Sequence, residues 1–279
     1  MAIKRIWGCY FSPVGNTKKI VEGIAKACAE HLNVEVKWLN FTTPALRKDK
    51  FYEFPETDLV IFGMPTYAGR LPNKALPFIK ELFKGNKTLA IPVVTFGNRN
   101  FDSSLTELNQ ELQEIGFHCL AGGAFVCQHS FSNKLASGRP NVEDEALIVA
   151  FVERIVEIIN CEANYSQLVI EGREEVQAYY TPLGIDGNPT NFLKAKPQTN
   201  MESCHKCGLC AAVCPMGAID FKDTSLVPGI CIKCQACVRK CPKGAKYFDD
   251  AQFLSHVKML ESNYCDRKEA ALYYARLEK

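Results

Sequence analysis

Eight of the fourteen cysteines crowd one stretch, as Cys204-x2-Cys207-x2-Cys210-x3-Cys214-Pro215 and again as Cys231-x2-Cys234-x2-Cys237-x3-Cys241-Pro242. Thiols this dense, in a chain expected to stay in a reducing compartment, point to metal rather than to disulfides. Three thiolates in one tight loop can cover three irons of a cubane. The fourth ligand must then come from elsewhere, and the proline turns the chain away after it. The two runs form an internal repeat, because Gly217-Ala218 follows the first and Gly244-Ala245 the second. A zinc ribbon competes, but it needs only two Cys-x2-Cys pairs and leaves four thiols without a role. His205, inside the first run, reads as a spacer.

A second chemical signal stands near the other end. After the first apolar run come Ser12-Pro13-Val14-Gly15-Asn16-Thr17, and a helical pattern begins at Lys18-Lys19-Ile20. Hydroxyls, a glycine and an asparagine around a helix N-terminus make a phosphate cradle in which free amides and the helix dipole supply the positive end. No G-x-G-x-x-G and no Gly-Lys-Ser/Thr is present, so neither the dinucleotide fingerprint nor a P-loop applies.

These groups need a scaffold, and the periodicity supplies one. Apolar runs at Ile3–Phe11, Val34–Phe41, Asp58–Met64, Leu89–Phe96 and Cys119–Cys127 alternate with helical patterns at Asn16–Leu32, Asn73–Phe83, Ser103–Ile115 and Asp144–Ile159. Strand alternating with helix predicts an α/β fold, a doubly wound five-stranded parallel sheet of order 2-1-3-4-5, over residues 1–160. Residues 161–200 read as a connector with one short helix at Glu171–Tyr180, residues 201–250 as the cysteine domain, and 251–279 as a tail of one or two amphipathic helices. The stretch Gln128 to Asn141 is long for a connection and reads as a flap, a docking surface or a plain loop.

The phosphate loop resembles the FMN loop of flavodoxins, Ser/Thr-x-Thr-Gly-Asn-Thr, with departures at Pro13 and at Val14, which replaces a hydroxyl-bearing residue. That resemblance implies a flavin ring at the carboxyl ends of strands three and four. Two loops lie there, one through Pro65, Thr66, Tyr67, Ala68, Gly69 and Arg70, the other through Phe96, Gly97, Asn98 and Phe101. The implied FMN set is thus Ser12, Val14, Gly15, Asn16, Thr17, Pro65, Thr66, Tyr67, Ala68, Gly69, Phe96, Gly97, Asn98 and Phe101, with an aromatic ring stacking on the isoalloxazine. The cysteine block resembles bacterial-type two-cluster ferredoxins, a small α+β domain. It implies one 4Fe-4S cluster on Cys204, Cys207, Cys210 and Cys241 and another on Cys231, Cys234, Cys237 and Cys214.

Taken whole, the chain is similar to flavodoxin–ferredoxin fusion proteins of anaerobic bacteria and archaea. The resemblance implies two 4Fe-4S clusters and FMN, and an electron-transfer protein that couples one-electron to two-electron redox partners. A flavin-dependent reductase of a small acceptor is the alternative, as is a redox subunit or sensor whose N-terminal half no longer binds FMN. No catalytic side chain is assigned.

Composition sets the remaining bounds. With 33 basic and 31 acidic residues the net charge is +2, which gives no reason to expect a nucleic-acid-binding surface. No apolar run reaches the ~18 residues of a membrane helix, and the apolar start is too short for a secretory core, so a cytoplasmic location is expected. Residues 201–250 are mildly basic, and docking to an acidic redox partner, or to the chain's own N-terminal half, is expected. The other cysteines, Cys9, Cys28, Cys119, Cys127, Cys161 and Cys265, are expected as buried small hydrophobes.

Overall fold

A computed structural model describes residues 3–161 and 166–276. Residues 162–165 of the predicted connector and the last three residues of the predicted tail lie outside the described residues. The N-terminal part runs β1 (Arg5–Tyr10), α1 (Asn16–Leu32), β2 (Glu35–Asn40), α2 (Pro44–Arg47), β3 (Tyr52–Phe54), β4 (Asp58–Pro65) and α3 (Pro77–Leu82). It continues through β5 (Phe83–Gly85), β6 (Thr88–Phe96), α4 (Ser104–Glu114), β7 (Phe117–Cys119), β8 (Ala121–Val126) and α5 (Val142–Asn160). The C-terminal part adds β9 (Gln198–Thr199), α6 (Leu209–Ala212), α7 (Ala236–Arg239), β10 (Lys246–Tyr247), α8 (Ala251–Asn263) and β11 (Ala271–Tyr274).

The main sheet has the order β11-β8-β6-β4-β1-β2, with β7 also paired to β6. Strands β2, β1, β4, β6 and β8 are parallel, the doubly wound order 2-1-3-4-5. Central strand β4 is buried from Asp58 to Met64 because helices cover both faces. On one face α1 and α5 pack Ile20, Val21, Ile24, Ile148, Phe151 and Val152 onto the sheet. The stripe Thr17, Ile20, Val21, Ile24, Ala25 and Cys28 keeps α1 down along its length. Gly63 permits the close approach, since a Cβ there would come within 2.8 Å of Thr17 Cγ2. The start of α1 is thereby held against the carboxyl ends of β1 and β4, where the phosphate loop emerges. The opposite face is a Phe-rich core of Phe11, Phe41, Phe54, Phe62, Phe83 and Phe117, each contributing about 1.5–3 kcal/mol by its burial.

Three expectations change. Glu171–Tyr180 is not helical but irregular chain with a turn at its start, because it has no apolar stripe and instead lies along the molecule: Leu168 and Ile170 before it enter the core, and the Tyr180 amide donates to the Ala68 carbonyl at 2.8 Å. The tail forms one helix and then β11, which joins the sheet antiparallel to β8, Ala271 opposite Ala124 and Tyr274 opposite Ala121. It covers an edge that would otherwise present unpaired amides. Finally, Cys9, Cys28, Cys119 and Cys127 are buried, but Cys161 and Cys265 are exposed.

Candidate functional site

The turn after β1 is built to hold an anion without formal charge. Thr42 Oγ1 accepts the Ser12 amide at 2.8 Å, and Ser12 Oγ accepts the Lys18 amide at 3.0 Å, so the Ser12 hydroxyl proton is left to donate. Gly15 takes φ +99, a left-handed conformation that glycine adopts at little cost. The amides of Val14, Gly15, Asn16 and Thr17 have no acceptor among the described residues, and they surround the positive end of a 17-residue helix. Thr17 is tied to Thr95 at 2.8 Å between hydroxyl oxygens, and Asn16 Nδ2 donates to the Gln128 carbonyl at 2.8 Å. Val14 contributes no hydroxyl. The cradle therefore rests on amides and on Ser12.

A cavity of about 1010 Å³ opens from this loop, at the top of the range of pockets that enclose a small ligand. Of the expected FMN set, Ser12, Val14, Asn16, Thr17, Pro65, Thr66, Tyr67, Ala68, Gly69, Phe96 and Gly97 line it. Tyr67 to Arg70 close a tight turn, with the Tyr67 amide to the Arg70 carbonyl at 2.8 Å and the reverse bond at 3.1 Å. Ala68 (φ 49) and Gly69 (φ 79) sit left-handed at its tip. Arg70 does not face the cavity. It forms a two-pronged pair with Glu107 and lies over the Tyr179 ring at 4.7 Å.

The second loop is used differently from the expectation. Phe96 and Phe101 are each 6% exposed and pack on one another, centroids 5.6 Å apart. Phe101 is also covered by the Arg173 guanidinium at 4.4 Å, which leaves it no face for a flavin. Asn98 is buried, and its Nδ2 donates to the carbonyls of Tyr264 at 2.6 Å and Asp266 at 2.9 Å, so it anchors the C-terminal tail. Gly15, Asn98 and Phe101 do not line the cavity; of the expected aromatics that do, Phe96 is buried and Tyr67 half-buried.

The cavity also gathers side chains that sequence reasoning did not assign. His129 follows β8, and its Nδ1 accepts the Phe131 amide at 3.0 Å, which puts the ring proton on Nε2. Burial, and then the nearby His256, Arg239 and Arg99, lower its pKa to about 4. His256, from α8, donates from Nδ1 to the Leu183 carbonyl at 2.8 Å and stacks on Phe192; burial lowers it as well. Tyr179, Tyr180 and Phe192 come from an irregular strap, residues 171–196, that passes the cavity. The length of the loop after β8 was the one signal for His129; the strap carried none.

The cysteine domain repeats itself at a spacing of 27 residues, and its backbone does so too. The amide of Lys206 donates to Cys204 Sγ and that of Lys233 to Cys231 Sγ, both at 3.4 Å. The amide of Ala218 donates to Cys214 Sγ and that of Ala245 to Cys241 Sγ, both at 3.3 Å. Left-handed residues recur in register: Lys206 and Lys233, Gly208 and Gln235, Gly217 and Gly244. One internal void is lined by Cys204, Cys207, Cys210 and Cys241, the other by Cys214, Cys231, Cys234 and Cys237. Each run thus sends its fourth cysteine to the other's void. Among the described residues no three His, Cys, Asp or Glu side chains stand close enough to share one metal ion. Quartets spread around a void fit a cubane and not a zinc ion. Burial raises the Cys237 thiol to about 12 and Cys234 further, and a coordinating metal would deprotonate them.

The void of Cys231 is the one beside the cavity, which Cys231, Ile232 and Lys233 help to line. Burial, and then Cys234 and Cys231, push the Tyr67 phenol well up. Tyr67 is therefore a neutral ring between the phosphate-loop cavity and this nearer quartet. The other quartet includes the exposed Cys207. Arg239, on α7, fixes the two domains: it donates to the carbonyls of Ser130 and His129, each at 3.0 Å, and of Ser132 at 2.7 Å. Arg47 Nη2 donates to the Pro215 carbonyl at 2.8 Å from the other side.

Comparison with known proteins agrees with the cysteine geometry. A family model described as a 4Fe-4S dicluster domain matches residues 203–245, and a second of the same description matches 161–218. Among solved structures, the chain is similar to a flavodoxin from the domain Archaea, at 16% identity over 55% of this chain and 99% of that one, with a TM-score of 0.36. It is similar also to a short-chain flavodoxin associated with a non-canonical PDU bacterial microcompartment (16%, 57% and 99%, 0.38). A third is the rubredoxin oxygen:oxidoreductase of the anaerobe Desulfovibrio gigas (15%, 57% and 37%, 0.34). A search of curated proteins returns no match. At these scores the fold assignment rests on the strand order itself. A flavodoxin-like doubly wound domain is joined to a domain of two 4Fe-4S clusters. The architecture is that of a doubly wound α/β domain followed by a segment matching a 4Fe-4S dicluster model. No described helix is long and apolar enough to cross a membrane.

Proposed function

We propose that this chain is an electron-transfer flavoprotein in which FMN occupies the 1010 Å³ cavity and exchanges electrons with the two 4Fe-4S clusters. The observation that carries the reading is that one cavity is lined both by the phosphate loop, at Ser12, Asn16 and Thr17, and by Cys231 of the nearer cluster. Clusters pass single electrons and a flavin handles one or two, so the pair links one-electron to two-electron redox partners. The chain's own residues do the positioning. The Val14–Thr17 amides and Ser12 hold the phosphate, Tyr67 packs between ring site and cluster, and the His129–Phe131 segment closes the side facing α7. The quartet with Cys207 near the surface is the entry or exit point for a low-potential protein donor or acceptor.

An anaerobic count of iron, sulfide and flavin tests this. About eight iron, eight sulfide and one FMN per chain are expected, with the FMN reducible by dithionite through the clusters. Clusters without flavin, even after added FMN, would overturn it. A second reading, a flavin-dependent reductase of a small acceptor, is favoured by the strap and by the imidazoles of His129 and His256, which enclose the cavity. Turnover of small acceptors above a free-FMN control would establish it.

A further inference from the structure

We infer that the cavity holds a second ligand beside the flavin, a planar aromatic anion; this rests on the FMN reading above. Lys74, Arg99, Lys194, Lys196 and Lys233 line the cavity, and among the described residues no Asp or Glu does. The flavin phosphate does not account for them, because its cradle is made of uncharged groups. The iron–sulfur charge accounts for two: Lys233 and Lys196 act directly on Cys231, while their Nζ atoms donate to the carbonyls of Leu193 and Val227. Three cations remain. Arg99 is shared with Asp102 and lies over the Tyr180 ring at 4.0 Å. Lys74 and Lys194 come from opposite sides, one after the Tyr67–Arg70 turn and one from the strap, and neither enters an ion pair among the described residues.

The walls between these cations suit a flat ring. Tyr179, Tyr180, Phe131 and Phe192 line them. The two imidazoles hold opposite tautomers. Nδ1 of His129 is an acceptor, so Nε2–H is a donor that suits a carboxylate; Nδ1–H of His256 is a donor, so Nε2 is an acceptor. Aromatic walls, cations without counter-ions and a fixed neutral donor together select a ring bearing a carboxylate or a similar anion.

The test uses the full chain, with flavin content measured on the same sample. It is titrated with 2-naphthoate and with its neutral isostere 2-naphthamide, read by calorimetry and by perturbation of the flavin absorption band. The expected result is at least tenfold tighter binding of 2-naphthoate, a preference that shrinks in high salt. The Lys74→Gln/Lys194→Gln double variant, altered only at exposed positions, is expected to cut the preference below threefold with an unchanged melting temperature. Equal affinity for the two compounds, or a preference that survives in the double variant, would overturn the inference. A preparation without flavin overturns the FMN reading instead, and calorimetry on it still decides whether the anion binds.

Discussion

Arg239 reaches from the cluster domain to the carbonyl oxygen of His129, Nη2 to O at 3.0 Å, so the residue that closes the cavity also carries the seam between the domains. Its guanidinium spends further donors on Ser130, Ser132 and Asn133. Arg239→Ala leaves those carbonyls without their charged donor and is expected to cost about 1–3 kcal/mol. Melting should show the cluster domain loosening first, and stopped-flow reduction of the flavin through the clusters should slow several-fold. Arg239→Lys, which cannot fork, should recover little.

Cys214 separates the crossed ligation from a local one. It lines the void of Cys231, Cys234 and Cys237, although it belongs to the other run. Cys214→Ser is expected to lose the cluster beside the cavity, taking iron from about eight to about four per chain and cutting the flavin off from dithionite-reduced clusters. Cys241→Ser should lose the other four irons and leave the flavin next to its cluster. Identical flavin reduction rates in the two variants would contradict the crossed arrangement.

The two histidines give the protein an acid-sensitive window. The folded pKa of His129 lies near 4, lowered first by burial and then by His256, Arg239 and Arg99, whereas an unfolded histidine titrates near 6.5. Below about 6.5 the unfolded chain takes up a proton that the native ring refuses. The contribution is therefore complete above that pH and is lost as pH falls toward 4, by up to about 1.4 kcal/mol per unit. His256, also lowered by burial, acts in the same sense. Denaturant midpoints between pH 7.5 and 5.5 should fall, and His129→Gln should flatten the slope by close to one proton.

Gly69 is where the ring loop tolerates least. At φ +79 a side chain is strained, and a Cβ would come within 2.9 Å of Asp102 Cγ, the partner of Arg99. Gly69→Ala is expected to cost about 1–3 kcal/mol and to weaken FMN binding about tenfold, measured by quenching of flavin fluorescence. Gly69→Ala/Asp102→Gly removes the Asp102 carboxylate and the Cβ that stands 2.9 Å away, at a position whose φ of 41 glycine accepts, and should recover part of the loss; no recovery would place the damage in the backbone at residue 69.

The chemistry was legible in the sequence wherever it depends on neighbours in the chain. The cysteine runs and the Ser12–Thr17 loop carry their geometry in their spacing, and strands buried on both faces betray themselves as unbroken apolar runs. What could not be read was decided at long range. Ala271–Tyr274 has nothing to mark it as a strand until it meets Ala121–Ala124, about 150 residues earlier. Glu171–Tyr180 shows no period because it is shaped by the surface it crosses. Asn98 has the residue type and the place to touch a flavin, yet its amide meets the tail that folds back over it.

That returning tail changes the kind of machine the two domains make. With β11 added to the sheet and α8 packed through Met259 and Leu260 on Leu135, the cluster domain is fastened at both its entry and its exit, as an inserted module and not a pendant one. Exchange between flavin and cluster then requires no diffusional search. Its rate should be indifferent to solvent viscosity and to protein concentration.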